Sequence, residues 1–450
     1  MTQQQALNLL MMGKNIYLTG QAGSGKTYLL NLYIDFLKKH KVSVAITAST
    51  GIGGTHLNGS TIHSWTGIGI RSHLQDHQVA QIASKETTRS RIQNAKILII
   101  DEISMFHSYR LDLVNRICKY ARKDERPFGG LQVILCGDFF QLPPVNEVEF
   151  EESSFAYKSE AWEDLDLVVC YLDEQHRQQD ESFLRILNEI RSQDLNEHTF
   201  EKLHERLNKE IGNNVKPTKL YTTNADVDAI NNFELQKITK PEHRYIMTSR
   251  GDMKLIETLK KGCLAPEELL IKEEAVVMFV KNNPSKGYVN GTLGKVSGYD
   301  NNGYPLVETY SGKSIVASPV SWRIEENDIV LAEINQIPLR LAWAITIHKS
   351  QGMSLDAAEI DLSKSFAYGM GYVALSRVRS LEGMKLLGIN QKAFMVDEEI
   401  TKLDKVLKKT SNEYTLYLKN LDETQINEMQ QKFLKSIVPK NQEAKVLKIQ

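Results

Sequence analysis

Cysteine is sparse in this chain, long apolar runs are missing, and charge of either sign is almost balanced. The four cysteines among 450 residues, Cys118, Cys136, Cys170 and Cys263, lie far apart. None forms a CxxC pair or sits beside clustered histidines, which argues against a disulfide framework and a zinc site and fits a reducing compartment. No run of about eighteen apolar residues occurs. The opening "MTQQQALNLLMMGKN" has neither a basic n-region nor a long apolar core, so a secreted or membrane-spanning protein is not indicated, and a soluble, cytoplasmic one is expected. A formal net charge of -1 argues against a purely electrostatic coat for nucleic acid but leaves room for a locally basic groove. There is no low-complexity tract or repeat period, and the closing "VPKNQEAKVLKIQ" is expected to be a solvated tail or helix end.

What is present is ample apolar content, 41% of the residues, enough for more than one core. The first part of the chain alternates apolar strands with helical stretches. "KNIYLTG", "VSVAITAS", "AKILIID", "LQVILCGD" and "LDLVVCYLD" are continuous apolar runs, and "KTYLLNLYIDFLKKH" carries the helical period. Such runs predict a parallel sheet covered on both faces, an α/β fold. From Val276 to Arg323 the texture changes to short β-type runs broken by NN, NG and SG turns, which predicts a small antiparallel module, most simply a barrel. The α/β texture then returns in "LRLAWAITIHKSQG" and "AAEIDL", and the chain ends in helical sequence from about Gln391.

The chemistry starts at "GQAGSGKT", Gly20 to Thr27, which fits G-x-x-x-x-G-K-[ST] between a predicted strand and a predicted helix. Gly20, Ala22, Gly23, Ser24 and Gly25 let backbone N–H groups curl around phosphates. Lys26 neutralises them, Thr27 offers a hydroxyl to Mg²⁺, and the helix N-terminus adds its dipole. "ILIIDEIS" supplies Asp101 at a strand end to hold the metal shell and Glu102 to orient or deprotonate water. "VILCGDFFQLPPV" then explains itself: a neighbouring strand would bring Asp138 and Gln141 towards the γ-phosphate. The rigid Pro-Pro turn would report phosphate loss, while Phe139 to Pro144 touch what lies across the domain face. Arg177 in "YLDEQHRQ" and Arg377 in "YVALSRVRS" are placed to enter the nucleotide site across an interdomain cleft, Arg379 less so.

Two polar loops suit a nucleic-acid backbone. "TASTGIGG" and "STIHSW" combine the hydroxyl and backbone donors of Thr50 and Gly51 with His63 and Trp65, the tryptophan being the better candidate for core packing. "TIHKSQG" repeats that texture with His348, Lys349 and Ser350 for a phosphate and Gln351, followed by Gly352, for the nucleotide.

In chain order, "GQAGSGKT", "ASTGIGG", "TIHSW", "IIDEISM", "GDFFQLPPV", "LDEQHRQ", "TTNADVDAIN", "VNGTLGKV", "AITIHKSQGMSLD" and "YVALSRVRS" resemble the motifs of the PIF (petite integration frequency) family of DNA helicases. These are relatives of the RecD-like helicases in the B class of superfamily one. The likeness runs from the N-terminus to about Leu387. It implies an α/β protein of two RecA-like P-loop motor domains with a small wedge insertion at about 62–80 and an inserted SH3-like β-barrel. The limits would be 1–173 for the first motor domain, 174–270 with 326–390 for the second, 271–325 for the barrel and 391–450 for a helical C-terminal segment.

The resemblance implies ATP and Mg²⁺ as cofactors and ATP-driven 5'-to-3' movement on single-stranded DNA. The partners would be single strands and single-strand/duplex junctions, with replication or repair proteins beside them, and the protein a monomer or DNA-induced dimer. Lys26, Thr27, Asp101, Glu102, Gln141, Arg177 and Arg377 would carry the chemistry, Thr27 and Asp101 holding the metal. Gln3, or Gln4 beside it, would read adenine. Thr50, Gly51, His63, Phe139, Pro143, Asn290, His348, Lys349 and Ser350 would meet DNA. A bacterial or phage-like origin is expected, and the family's associations include replication, repair, recombination, telomere maintenance and G-quadruplex DNA. The alternative is a DNA-stimulated translocase that displaces proteins without robust unwinding.

Overall fold

The computed structural model describes residues 1–49, 60–69, 71, 73–144, 154–175, 180–212, 217–281, 283–288, 291–310, 312–326, 329–355 and 357–438. The chain divides into two compact units. The first comprises Met1–Val215, Gln351–Ala358 and Leu362–Gln450, and the second Lys216–Ser350 and Glu359–Asp361. Among the described residues no helix is long and apolar enough to cross a membrane.

The first unit is built on six strands, β1 (Ile16–Gly20), β2 (Val44–Ala48), β3 (Ser60–Thr61), β4 (Ile97–Asp101), β5 (Gln132–Cys136) and β6 (Val168–Leu172). Their order is β3-β2-β4-β5-β1-β6 and every pairing is parallel. Ile16 of β1 is opposite Ile134 on one side and Val168 on the other. All residues of β1, β4, β5 and β6 are buried, which is why these strands read as unbroken apolar runs in the sequence. In an open parallel sheet ligands bind beyond the carboxyl ends of the strands, and the loops after β1 and β4 emerge there.

Helix α1 (Gln3–Met11) opens with a capping box between Thr2 and Gln5. Helix α2 (Lys26–Lys39) buries Leu29, Leu30, Tyr33, Ile34 and Leu37 on one face, and Lys38 and Lys39 in its last turn complement its dipole. The helix Ser108–Arg122 behaves as its amphipathic pattern requires, with Leu111, Val114 and Ile117 fully buried.

The C-terminal sequence forms two helices, Glu398–Lys419 and Glu423–Ile437. They belong to the core of the first unit: Leu418, Ile437 and Val438 pack with Met1, Ala6, Leu9 and Leu10. The Ser411 hydroxyl accepts the Tyr171 amide at 3.0 Å, satisfying a backbone donor of the edge strand β6. Close approach is enforced at Gly13, whose φ is +80° and where a Cβ would fall 2.2 Å from the Phe433 ring.

In the second unit the strand Thr218–Tyr221 pairs in parallel with Ala344–Thr346. The Asn231 amide, on the helix Asn224–Lys237, bonds both the carbonyl (3.1 Å) and the N–H (3.0 Å) of Ala344. The predicted antiparallel texture is present as a five-stranded sheet in the order Ser314–Val316, Pro305–Thr309, Leu293–Tyr299, Val276–Phe279, Leu339–Leu341. A register shift between Val296 and Gly298 marks a bulge. A three-stranded antiparallel sheet joins Val320–Glu326, Ile329–Gln336 and Thr248–Gly251. In the two-stranded pair Glu242–Ile246 with Glu268–Lys272, the first strand has no apolar run to announce it and alternates between exposed and half-buried residues.

Candidate active site

The glycines of the loop after β1 have the left-handed conformations that a nest of backbone N–H groups needs. Gly23 and Gly25 have φ of +87° and +84°, and Gly25 caps α2 from the left-handed region. A Cβ on Gly20 would meet the Leu172 carbonyl at 2.7 Å and Ser24 Oγ at 2.8 Å. Lys26 Nζ curls back to donate to the carbonyls of Gly20 (2.8 Å) and Gln21 (3.0 Å). Burial pulls its pKa down, while the charges of Asp138 and Glu102 oppose that shift. Ser24 Oγ is buried with no hydrogen-bond partner, an orphan polar atom within a cradle of N–H donors.

Around this loop lies a cavity of about 830 Å³. Lys26 and Thr27 line it with Glu102 and Gln141. Gly352, Ser354, Arg377 and Arg379 close another side, and all of these residues belong to the first unit. The segment from Gln351 is tied to Arg377 through its backbone, since Leu355 N–H donates to the Arg377 carbonyl (2.9 Å) and Arg379 N–H to the Leu355 carbonyl (3.2 Å). Arg377 is 1% exposed, its Nε bonded to the Val373 carbonyl at 2.9 Å and Nη2 to Ser376 Oγ at 2.9 Å.

Glu102 sits in the left-handed region, φ +54° and ψ 44°, a conformation that costs a non-glycine residue about 1 kcal/mol or more and so points to a functional constraint. Its N–H donates to Asp101 Oδ1 at 2.9 Å and its Oε2 accepts from Gln351 Nε2 at 2.8 Å. Burial, and then the neighbouring Asp101 carboxylate, push the Glu102 carboxyl up to about 7, against the pull of Lys26, Arg377 and the Gln351 bond. A carboxyl poised there can take a proton from water near neutral pH.

The structure redirects one residue of the opening motif. Asp138 does not face the nucleotide cavity as expected: it is 1% exposed and its carboxylate is held by Arg191 Nη1 at 2.9 and 2.7 Å. A buried carboxylate with its guanidinium partner in place has no reason to seek a metal or phosphate. Gln141 does line the cavity. Ala22 N–H donates to Tyr372 Oη at 3.0 Å. Gln3 Nε2 reaches the Ser24 carbonyl at 3.4 Å, whereas Gln4 Nε2 turns to Asn8 on its own helix. Of the two glutamines the fold brings Gln3 to the phosphate loop. Tyr28, Asp180, Ser354 and Ser380 also line the cavity and were not singled out by sequence. Tyr28, directly after the Gly-Lys-Thr, is 60% exposed, an exposure that only the fold reveals.

The residues expected to meet nucleic acid are spread out. Thr50, Gly51 and Asn290 lie outside the described residues, as does Arg177, which was expected at the nucleotide and not at DNA. His63 Nε2 bonds Arg110 Nη1 at 3.0 Å and its ring meets Phe106 edge-on. Trp65 is buried, as packing preferences suggested. Phe139 is 5% exposed, its ring among those of Tyr17, Phe155, Tyr157 and Trp162, while Pro143 is half-buried. In the second unit His348 and Lys349 begin a 3-10 turn, and Lys349 Nζ bonds Asn224 Oδ1 at 3.2 Å. Burial and then nearby Arg340 bring Lys349 down to about 8. Ser350 is buried with its hydroxyl on the Ile347 carbonyl at 2.7 Å.

A family model described as PIF1-like helicase matches residues 3–203. The ATP-dependent DNA helicase Pif1 of Psychrobacter sp. (strain PRwf-1) is 41% identical over 494 residues, covering 96% of this chain and 75% of the relative. The chain spans about three fifths of the length of the frog and human relatives it matches, 61% and 62%. Among solved structures, the crystal structure of Pif1 helicase from Candida albicans superposes with a TM-score of 0.83 at 33% identity, over 90% of this chain and 98% of that one. Pif1 helicase from Bacteroides in complex with ADP-AlF3 and single-stranded DNA gives 0.73 at 28% identity, over 90% and 96%. The mixed α/β architecture with its RecA-like parallel sheet is thus shared with these proteins, and the chain belongs to the PIF1-like helicase family.

Proposed function

We propose that the protein is an ATP-dependent DNA helicase that moves 5' to 3' on single-stranded DNA and unwinds duplex or structured DNA. The observation that carries this reading is one cavity lined by Lys26, Thr27, Glu102, Gln141 and Arg377 in a chain 41% identical to an ATP-dependent DNA helicase. The nest of N–H groups and the orphan Ser24 hydroxyl fit a triphosphate. Thr27 and Asp101 would hold Mg²⁺, which supplies charge neutralisation on the phosphates.

Glu102 accepts the proton of the attacking water as the bond to the γ-phosphorus forms and the bond to the leaving ADP breaks. Gln141 orients that water or the γ-phosphate, and Arg377, with Arg177, neutralises the charge that develops. Gln3 reads the adenine. Gln351, rather than meeting the nucleotide directly, holds Glu102 through the 2.8 Å bond.

We assign 1–173 and 174–270 with 326–390 to two motor domains, the wedge to about 62–80, 271–325, which carries four strands of the five-stranded antiparallel sheet, to an SH3-like module, and 391–450 to the helical C-terminal segment. DNA contacts are assigned to Thr50, Gly51, His63, Pro143, Asn290, His348 and Lys349. Phe139 and Ser350, both buried, shape the segments that carry them. Single strands and forked junctions are the substrates, and a second copy acting on the same DNA is the expected partner, as the two coordinating Pif1 helicases described at forked duplex DNA suggest.

Hydrolysis stimulated by single-stranded DNA is the direct test, and a rate indifferent to DNA would sink the motor reading. His348→Ala should weaken single-strand binding by about fivefold to thirtyfold, in line with one or two contacts of about 1 kcal/mol each, while nucleotide binding stays as in the parent. An unchanged DNA affinity would remove His348 from the interface.

A further inference from the structure

Arg191 is a buried cation that phosphate chemistry does not use. It lies on the helix Glu181–Ser192 and is 5% exposed. Nη1 holds both Asp138 oxygens and reaches Tyr372 Oη at 3.1 Å, while Nη2 bonds Tyr171 Oη at 3.0 Å. The guanidinium carbon lies 4.0 Å from the centre of the Phe140 ring.

Two of these partners, Asp138 and Tyr372, lead to the nucleotide cavity, whereas Tyr171 Oη donates to Asp404 at 2.9 Å on the helix Glu398–Lys419. Tyr372 Oη accepts the Ala22 N–H of the phosphate loop. Asp138 accepts the N–H of Phe140 (3.2 Å) and Nε2 of Gln141 (3.4 Å), and the Gln141 N–H returns to the Asp138 carbonyl at 2.9 Å. The helix that carries Tyr372, Met370–Leu375, is seated on the same turn: at Gly369, φ +73°, a Cβ would fall 2.3 Å from the Phe140 carbonyl and 2.6 Å from that of Gln141. Two residues past its end stands Arg377, tied by its Nε to Val373.

We infer that Arg191 and Tyr372 are positioning residues that fix Gln141 against the phosphate loop for ATP hydrolysis. Arg191 acts through Asp138, and Tyr372 through the Ala22 amide and the helix leading to Arg377. The inference rests on the nucleotide reading above. A buried ion pair contributes little net stability over well-packed apolar groups, so stability is a poor reason for this arrangement. What a planar fork with fixed donors does supply is geometry, because its partners can be satisfied together in one placement only. Lysine, a single point of charge, cannot bond Asp138, Tyr372 and Tyr171 in those directions at once.

The test is steady-state ATP hydrolysis with saturating single-stranded DNA, for the full chain and its Tyr372→Phe, Gln141→Ala and double variants. Thermal unfolding and binding of a non-hydrolysable ATP analogue are measured alongside. Tyr372→Phe keeps the ring and removes only the hydroxyl. It should lower kcat by about tenfold or more, with KM and analogue affinity within about twofold, as expected when a catalytic group is misplaced rather than lost. The double variant should turn over no more slowly than Gln141→Ala alone, since both changes disable the same device. Arg191→Lys should repeat the kcat loss if Tyr372→Phe does not fold.

A merely structural role predicts the opposite: a lowered unfolding temperature with kcat preserved, or losses that multiply in the double variant. Either result overturns the inference. An inactive wild-type protein would overturn the nucleotide reading and this inference with it. An active wild type matched by Tyr372→Phe overturns the inference alone.

Discussion

Lys26→Ala should reduce DNA-stimulated ATP hydrolysis by at least about a hundredfold, the loss expected when a preorganised cation is taken from developing phosphate charge. Two effects act together. The ammonium is the only charged side chain from Gly20 to Thr27, and its bonds to the Gly20 and Gln21 carbonyls show how tightly the backbone curls around it. The same charge also holds the Glu102 carboxyl down, so alanine raises a base that burial has already raised. The fold should survive, because Lys26 is half-buried and its helix is anchored by Leu29, Leu30 and Tyr33. Steady-state hydrolysis with saturating single-stranded DNA measures the effect, and turnover within about tenfold of the parent would show that the nucleotide site lies elsewhere.

Glu102→Gln should cost about 10² to 10⁴ in kcat, the range for removing a general base, while nucleotide binding persists. Glutamine can still accept the Gln351 bond through its carbonyl oxygen, so the local packing is preserved. The parent enzyme carries a second signature. A base with its carboxyl near 7 is protonated, and idle, on the acid side of that value. The kcat/KM, which reports the enzyme before nucleotide binds, should therefore rise with pH, with a midpoint at about 7, and level off above it. A kcat/KM that is flat between about pH 6 and 8, or that falls on the alkaline side of this range, contradicts Glu102 as the base.

The phosphate loop was legible because its chemistry is local: glycines, lysine and threonine act at fixed spacing on a strand-to-helix turn, and Gly20 to Thr27 fold as that spacing requires. Buried parallel strands were legible for a similar reason, as β4 and β5 are apolar at nearly every position. Asp138 was misjudged because its partner lies 53 positions away on the helix Glu181–Ser192. Nothing in "GDFFQLPP" separates a carboxylate that faces phosphate from one that faces Arg191. Tyr372 is 350 positions from the amide it accepts, and no periodicity reports such a bond. The strand Glu242–Ile246 was missed because its residues are exposed or half-buried throughout, so pairing with Glu268–Lys272, not a buried face, defines it. The C-terminal helices read as helices, but that Leu418 and Ile437 enter the core beside Leu9 could be known only from the fold.

The central claim is movement along one strand in one direction, and the most direct test is strand separation of two tailed duplexes under ATP and Mg²⁺. One carries a 5' single-stranded tail and the other a 3' tail. Unwinding of the 5'-tailed duplex alone is the predicted result. Unwinding of the 3'-tailed duplex alone would contradict the assigned polarity, and separation of neither, with DNA-stimulated hydrolysis intact, would make the protein a translocase that does not unwind by itself.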